Sequence, residues 1–497
     1  MALPPWTVEL LRRGVADLAR QVTDNDTAAS LKEQASKLVE ELPKTAREKV
    51  DTILRQAEES TRPIKDVWQS GVLWGGGTVS LTPTRLINAS GRLLDPRGSG
   101  VGIPAESLAA AVPHLAGDAS HVENVNSRLC EQIAATITRR CNEGASESRT
   151  LSAIVTNSLD ASLGLIATLG KRGGSLNVPR CCAVPLDTVV QTSSQDSKPS
   201  QRDELLVERL RRFGCGNVRE FGRVDGSDRW DDVHFAKQSG RRGGPPRHGQ
   251  HGEHGGDKHR GARLQVLVRL AAKGDTGQIP GSQRENWIDV VVMPVGSIYS
   301  TGNEIATDSV VDQLRAGADI VVLAGGVLAG TPELGLIVGN EDVMERLVEN
   351  PRHDLVVAPA ALTAIVASSV AVQSLGRSPL GQLMGVSEEN LQDRATRLAT
   401  QLAGFDAVQS TRVTAASASI GIAPGSDCTS QADDAIPSRQ VVVTLDASKA
   451  ADVVARNLAD APTGLLCGVA GNEIVIDLRW VSPEQQAQIG EIVGRGL

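Results

Sequence analysis

Four histidines, His248, His251, His254 and His259, recur at short intervals in one segment. Imidazole is the commonest protein metal ligand, so an H-x-x-H-x-x-H run is what a metal-binding loop would use. The segment 237–263 reads KQSGRRGGPPRHGQHGEHGGDKHRGAR, with seven Lys/Arg against two acids and no cysteine. Nothing in it can orient the imidazoles. It reads as a disordered, solvated Gly/His/Arg-rich insert whose charge offers only a generic attraction to phosphate. A second candidate lies at Thr156-Asn157-Ser158-Leu159-Asp160, where an apolar run gives way to a helix. Free N–H groups at such a start can hold an anion, and small polar residues there can equally be plain caps. The third is residues 317–339, a strand, a glycine-rich turn and a strand; its glycines permit a ligand's close approach or a tight connection.

Lysine is the sharpest compositional limit on chemistry. Only 11 of the 51 basic residues are lysine, and none lies between Lys273 and Lys449. Amine nucleophiles are therefore scarce. The 11 aromatic residues leave few stacking platforms for single-stranded nucleic acid. A net charge of −8, from 51 basic and 59 acidic side chains, argues against whole-surface nucleic-acid binding and leaves room for a local patch. Seven scattered cysteines without a C-x-x-C pair read as reduced thiols of a cytoplasmic protein. The start, MALPPWTVELLRRG, lacks a signal-peptide pattern. The charge-free stretch 355–375 is long enough to span a bilayer, but its Pro, Ser, Thr and Gln residues favour a buried helix.

The elements that must position these residues follow from periodicity. Residues 1–80 read as helical, with apolar positions at 3–4 spacing in 8–20, 28–42 and 45–58. From about 85, short aliphatic runs alternate with amphipathic helices. Strands are expected at 152–155, 178–186, 219–222, 264–270, 288–295, 319–324 and 334–338, with helices at 204–212, 309–316 and 342–350. This alternation predicts a mostly parallel α/β sheet. Residues 355–497 predict an α+β unit with helices at 360–375, 387–402 and 448–457 and strands at 407–411, 418–422, 440–445 and 473–478.

The third candidate carries a family resemblance. Residues 317–339, GADIVVLAGGVLAGTPELGLIVG, resemble the cofactor-lysine loop of bacterial selenocysteine synthase, the L-seryl-tRNA(Sec) selenium transferase family of pyridoxal-phosphate (PLP) enzymes. Arg85-Leu86-Ile87-Asn88-Ala89-Ser90-Gly91 is similar to the family's R-x-I-N-A-T-G opening, and residues 341–347 to the helix after the loop. The run 466–479, ending Asp477-Leu478-Arg479, resembles the closing L-x-L-D-L-R. The resemblance covers roughly residues 80–497. It implies a type I PLP-transferase, aspartate-aminotransferase-like fold: a helical N-terminal region (1–80), a large domain (85–350) and a small α+β domain (355–497).

The chemistry that the resemblance implies is interrupted. Val327 occupies the position of the Schiff-base lysine, and Gly326 precedes it in place of Asp. Pro294 stands at the Asp that pairs with the pyridine nitrogen, although Gly296 and Ser297 of that motif persist. The family's H-T-N-L-G-R loop is here Asp95-Pro96-Arg97-Gly98-Ser99-Gly100. A covalently held PLP needs the amine, and an electron-withdrawing ring needs the carboxylate. The expectation is a catalytically degenerate relative with no catalytic residue at these positions and no cofactor, PLP being the cofactor if that reading fails. Asn157, Ser158 and Ser297 are the expected remnants of a phosphate or ligand site. The other readings are an active selenium transferase with relocated groups and a tRNA-binding or scaffold subunit. Arg12, Arg13, Lys44, Arg47, Lys49 and Arg55 supply charge for tRNA, though neighbouring glutamates make a solvated helix face the plainer reading. Expected partners are further copies of the chain, as a dimer or larger, and tRNA or an active paralogue, with no membrane.

Overall fold

The computed structural model describes residues 85–117, 124–145, 148–170, 175–179, 206–214, 217–221, 265–271, 287–300, 308–421 and 435–497. The N-terminal region, expected to be helical, and the insert at 237–263 lie outside the described residues. So does most of the strand expected at 178–186.

Twelve strands are described: β1 (Arg85–Ala89), β2 (Leu151–Thr156), β3 (Ser175–Pro179), β4 (Val218–Phe221), β5 (Gln265–Leu270), β6 (Trp287–Met293), β7 (Ile320–Ala324), β8 (Gly335–Asn340), β9 (Val408–Ala418), β10 (Ile436–Leu445), β11 (Thr463–Ala470) and β12 (Glu473–Asp477). The helices described are α1 (Ala105–Ala116), α2 (Val125–Asn142), α3 (Leu159–Ile166), α4 (Leu206–Arg212), α5 (Val310–Arg315), α6 (Glu341–Val348), α7 (His353–Val356), α8 (Ala360–Ser374), α9 (Pro379–Met384), α10 (Glu388–Leu402), α11 (Ala451–Ala459) and α12 (Pro483–Gly496).

The larger sheet has seven strands in the order β2-β8-β7-β6-β5-β3-β4. β8 runs antiparallel to both neighbours, and the pairs from β7 across to β4 are parallel. The reason is legible in the central strands. QVLVRL, WIDVVVM and IVVLA are nearly continuous aliphatic runs, the pattern of strands covered on both faces. Alternate residues separate cleanly. Val266, Val268, Ile288, Val290, Val292 and Val322 join one core cluster, and Val291, Met293, Val321 and Leu323 join the other. Two polar side chains share the second face: Arg269 of β5 and Asp289 of β6 form a buried, two-pronged ion pair, with Nε–Oδ1 at 3.0 Å and Nη2–Oδ2 at 2.9 Å.

The smaller sheet has five strands, β1-β11-β12-β10-β9. β1, the opening motif, pairs in parallel with β11, so the chain contributes a strand to the C-terminal sheet before it enters the large one. The expected boundary at 85 assigns that strand to the large domain; its hydrogen bonds are made with the C-terminal one. β9 covers the strand expected at 407–411 and runs on to Ala418, where the next was expected to begin. α10 begins at a Ser387 cap and buries Leu391, Ala395, Leu398 and Leu402, a helical stripe turned onto this sheet. α12 begins with a reciprocal Ser482–Gln485 capping box.

The charge-free stretch forms α8. With the turn and helix α9 that follow, it is apolar and long enough by composition to cross a membrane. In this fold it buries Thr363, Ala364, Ile365, Val366, Ser369 and Val370, and it packs along α1 and α2.

Candidate functional site

The strand order brings the sequence candidates to one edge of the large sheet. Met293 pairs with Leu323, so the turns after β6 and β7 leave side by side. Ala324 pairs with Gly335, and Gly335 with Thr156, which adds the start of β8 and the β2–α3 junction to the same edge. In parallel α/β sheets this carboxyl edge is where ligands bind. Pro294, Ser297, Val327, Asn157 and Ser158 all lie on it.

The turn carrying Val327 is closed on itself. The Gly325 N–H donates to the Leu334 carbonyl at 2.7 Å, the Gly330 N–H to Val327 at 3.1 Å and the Thr331 N–H to Gly326 at 3.1 Å. A Cβ at Gly325 would lie 2.1 Å from the Pro332 carbonyl oxygen, so only glycine fits that bend. Helix α8 clamps the turn from outside. Ser369 Oγ donates to the Gly330 carbonyl at 2.7 Å, and Gln373 Nε2 donates to Ala329. The apex points its apolar side chains into a cluster. Half-buried Val327 and buried Leu328 pack there with Leu93, Met384, Ile420 and Trp480, and Val295, next to Pro294, belongs to the same cluster. The position that the resemblance gives to an amine is thus occupied by a hydrocarbon in hydrocarbon surroundings.

No described lysine replaces it. Lys449 is the one lysine among the described residues, and its Nζ donates to the Leu497 carbonyl, at the far end of the C-terminal unit's own helix α12.

The β2–α3 junction is internally satisfied. Ser158 Oγ accepts the Ala161 N–H at 3.1 Å as the cap of α3, and the Asn157 N–H donates to the Val356 carbonyl at 3.0 Å. Asp160 places a carboxylate in the first turn of α3 and pairs with Arg209 at 2.8 Å. That negative charge already answers the positive end of the helix. The Asn157 side chain is exposed. Beneath the junction, Thr156 Oγ1 lies 2.7 Å from Ser162 Oγ. A Cβ on Gly335 would fall 2.1 Å from that Ser162 oxygen, so glycine here lets α3 seat against β8. Ser297 is buried, and its hydroxyl donates to the Tyr299 carbonyl at 2.8 Å, within its own turn. The structure therefore brings Val327 and the residue after Pro294 into one cluster. The hydroxyls of Ser158 and Ser297 are engaged in local hydrogen bonds.

Cys467 of β11 lies opposite Ala89 of β1. Burial pushes its thiol up to about 12, against a smaller opposing pull from Arg97. A raised pKa favours the neutral thiol in the fold. Its contribution to stability is therefore complete below the ordinary value of 9.0 and is lost as pH rises from there toward about 12. Native protein at pH 8 is expected to leave Cys467 unalkylated by iodoacetamide and to react there only after unfolding. Peptide mass mapping checks this, and rapid native labelling of Cys467 would contradict it.

Sequence reasoning missed the residues that fill the edge. Leu93, Leu328, Trp480 and the Ser369–Gln373 clamp carry no motif of their own. The one signal available was the aliphatic composition of Val327-Leu328-Ala329.

Residues 301–482 match the family model of SelA, L-seryl-tRNA selenium transferase. Among solved structures, D-glucosaminate-6-phosphate ammonia-lyase is similar at 14% identity over 83% of this chain and 96% of that one, with a TM-score of 0.49. Serine palmitoyltransferase of Sphingomonas wittichii is similar at 15% identity, covering 83% of this chain and 87% of that one, with a TM-score of 0.37. Alanine–glyoxylate aminotransferase of Nostoc sp. matches at 13% identity over 85% and 97%, with a TM-score of 0.36. Residues 301–482 of this mixed α/β chain are thus similar to the L-seryl-tRNA selenium transferase family.

Proposed function

We propose that this chain is a catalytically degenerate SelA-like protein, a cytoplasmic oligomeric scaffold that has given up covalent PLP chemistry. The observation that carries the reading is the Val327 turn. It is clamped, it is apolar, and the neighbouring turn after β6 offers Pro294 where the ring nitrogen would need a carboxylate. The residues present do not fit PLP held as a Schiff base: the turn has no amine to form one, and nothing at position 294 could keep the pyridine protonated. The anion-binding capacity of the α3 start is reduced by Asp160, which argues against a strongly held phosphate there. What remains is the scaffold, whose roles are assembly with further copies of the chain and with an intact, lysine-bearing paralogue or its tRNA.

The expected result on incubating purified full-length protein with PLP is no aldimine absorbance band and no borohydride-stable pyridoxyl adduct at a single lysine by peptide mass spectrometry. A stoichiometric adduct at one lysine, Lys273 included, overturns the reading. So does conversion of seryl-tRNA to its selenocysteinyl form with selenophosphate.

A further inference from the structure

The opening and closing motifs have no role in the function proposed above, yet the structure joins them. The Trp480 Nε1–H donates to the Gly91 carbonyl at 3.4 Å, and the Ser419 N–H donates to the same oxygen at 2.9 Å. The Leu93 N–H continues the contact to Ser419, and the Leu94 N–H to Ile420, at 3.0 and 2.8 Å. Asp477 is buried and accepts from Ser438 Oγ and Gln440 Nε2. Arg479 donates to the carbonyls of Leu383 and Val386, just at and beyond the end of α9, and to that of Pro437 at the start of β10. The chain that crosses from the large sheet to the small one is thereby fastened at α9, and the chain that enters the large sheet is fastened at Gly91. Between these two attachments sits the Val327–Leu328 turn, pressed into the Trp480 cluster and tied from behind by Ser369 and Gln373.

We propose that the Val327–Leu328 turn is an apolar wedge that makes the seven-stranded and five-stranded sheets open as one cooperative body, with no hinge left between them. A cleft that opens and closes around a ligand must expose its walls to water in each cycle. Here the walls are Leu93, Leu328, Met384, Ile420 and Trp480, and separating them exposes hydrocarbon with nothing polar to compensate. The N–H groups of Gly325, Gly326, Gly330 and Thr331 are already bonded within the turn and to Leu334, which holds its backbone from inside. This inference stands on packing and hydrogen bonding alone. A lysine–PLP adduct would overturn the degenerate-enzyme reading and leave the wedge untouched.

Hydrogen exchange of the full chain under a urea series, read by mass spectrometry, tests it. In the unmodified protein, peptides from β6 and β7 and peptides from β10 and β12 are expected to lose protection together, with the same urea dependence. In Leu328→Ala, the β10 and β12 peptides are expected to exchange about 10- to 100-fold faster than the β6 and β7 peptides, because a large-to-small change in a packed interface weakens that interface first. Val327→Ala, a smaller deletion at a half-buried site, gives the same split at lower amplitude and serves if Leu328→Ala does not fold. Leu115→Ala, at an exposed position of α1, leaves the pattern unchanged. The inference is overturned if the two sheets already separate in the unmodified protein. It is equally overturned if the folded wedge variants keep the sheets in step.

Discussion

Replacing Asp289 with alanine is expected to lower the unfolding free energy by about 3–5 kcal/mol, because it strands the Arg269 guanidinium inside the large sheet. The two side chains are only 7% and 5% exposed, and they meet through both Nε and Nη2. Both charges lie on a covered face of the sheet, almost entirely out of water. The loss is an effect of leaving one charge unpaired, not a measure of what the pair contributes. The double change Arg269→Met with Asp289→Leu is therefore expected to lie within about 1 kcal/mol of the starting stability, or above it. Urea unfolding at pH 7 separates the cases: a large drop in midpoint for the single variant, little for the double, and an unchanged slope in both. A single variant within about 1 kcal/mol of the original would show that the guanidinium is solvated and that the sheet interior there is open. The pair also has a consequence for the site. It fixes β5 against β6, and β6 ends at Met293, directly before Pro294 and Val295. The Asp289 N–H donates to Asp319 Oδ2, and Asn340 Nδ2 donates to Asp319 Oδ1, so the register runs on through β7 to β8. The turns that carry Pro294 and Val327 are aligned by this polar seam at the opposite ends of their strands.

The large sheet was legible because its strands are uniform. Runs such as Ile288–Val292 admit one reading, and the expected strands at 264–270, 288–295 and 319–324 differ from β5, β6 and β7 by a residue or two at the ends. The order of the strands was not in that pattern; it is set by pairings between distant segments. The helices that went unrecognised are of another kind. α1 carries Pro113 within it and buries only Ser107 and Ala111, so it has almost no apolar stripe. α2 does have one, Ile133, Ile137 and Cys141 at four-residue spacing, hidden among Arg, Gln and Asn. β11 was overlooked because Thr463–Ala470 pairs with β1, a strand 378 residues away at Arg85↔Thr463, and local periodicity carries no trace of so distant a partner. The site divides the same way. Val327 and Pro294 stood out because their residue types contradict the chemistry that the resemblance implies. Trp480 did not, because nothing in a sequence says that an isolated tryptophan near the end of the chain will close over a turn 150 residues earlier.

Trp480→Ala is expected to cost about 3–5 kcal/mol, since it removes the largest fully buried side chain of the molecule's described core and leaves a cavity that rigid neighbours cannot collapse. The neighbours are held in place: Leu93 through its backbone to Ser419, and Leu328 on a turn bonded to α8. Trp480→Phe separates packing from hydrogen bonding. The Gly91 carbonyl keeps its bond from the Ser419 N–H when the indole is lost, so no buried acceptor is orphaned. The phenylalanine variant should then lose about 1 kcal/mol for the bond, plus part of the difference in ring volume. Urea midpoints of the two variants give the comparison. If alanine costs no more than phenylalanine, the pocket around residue 480 refills by relaxation, and the apolar cluster is soft. If alanine costs several times more, the cluster is a fixed packing unit, and the Val327–Leu328 turn is part of the core.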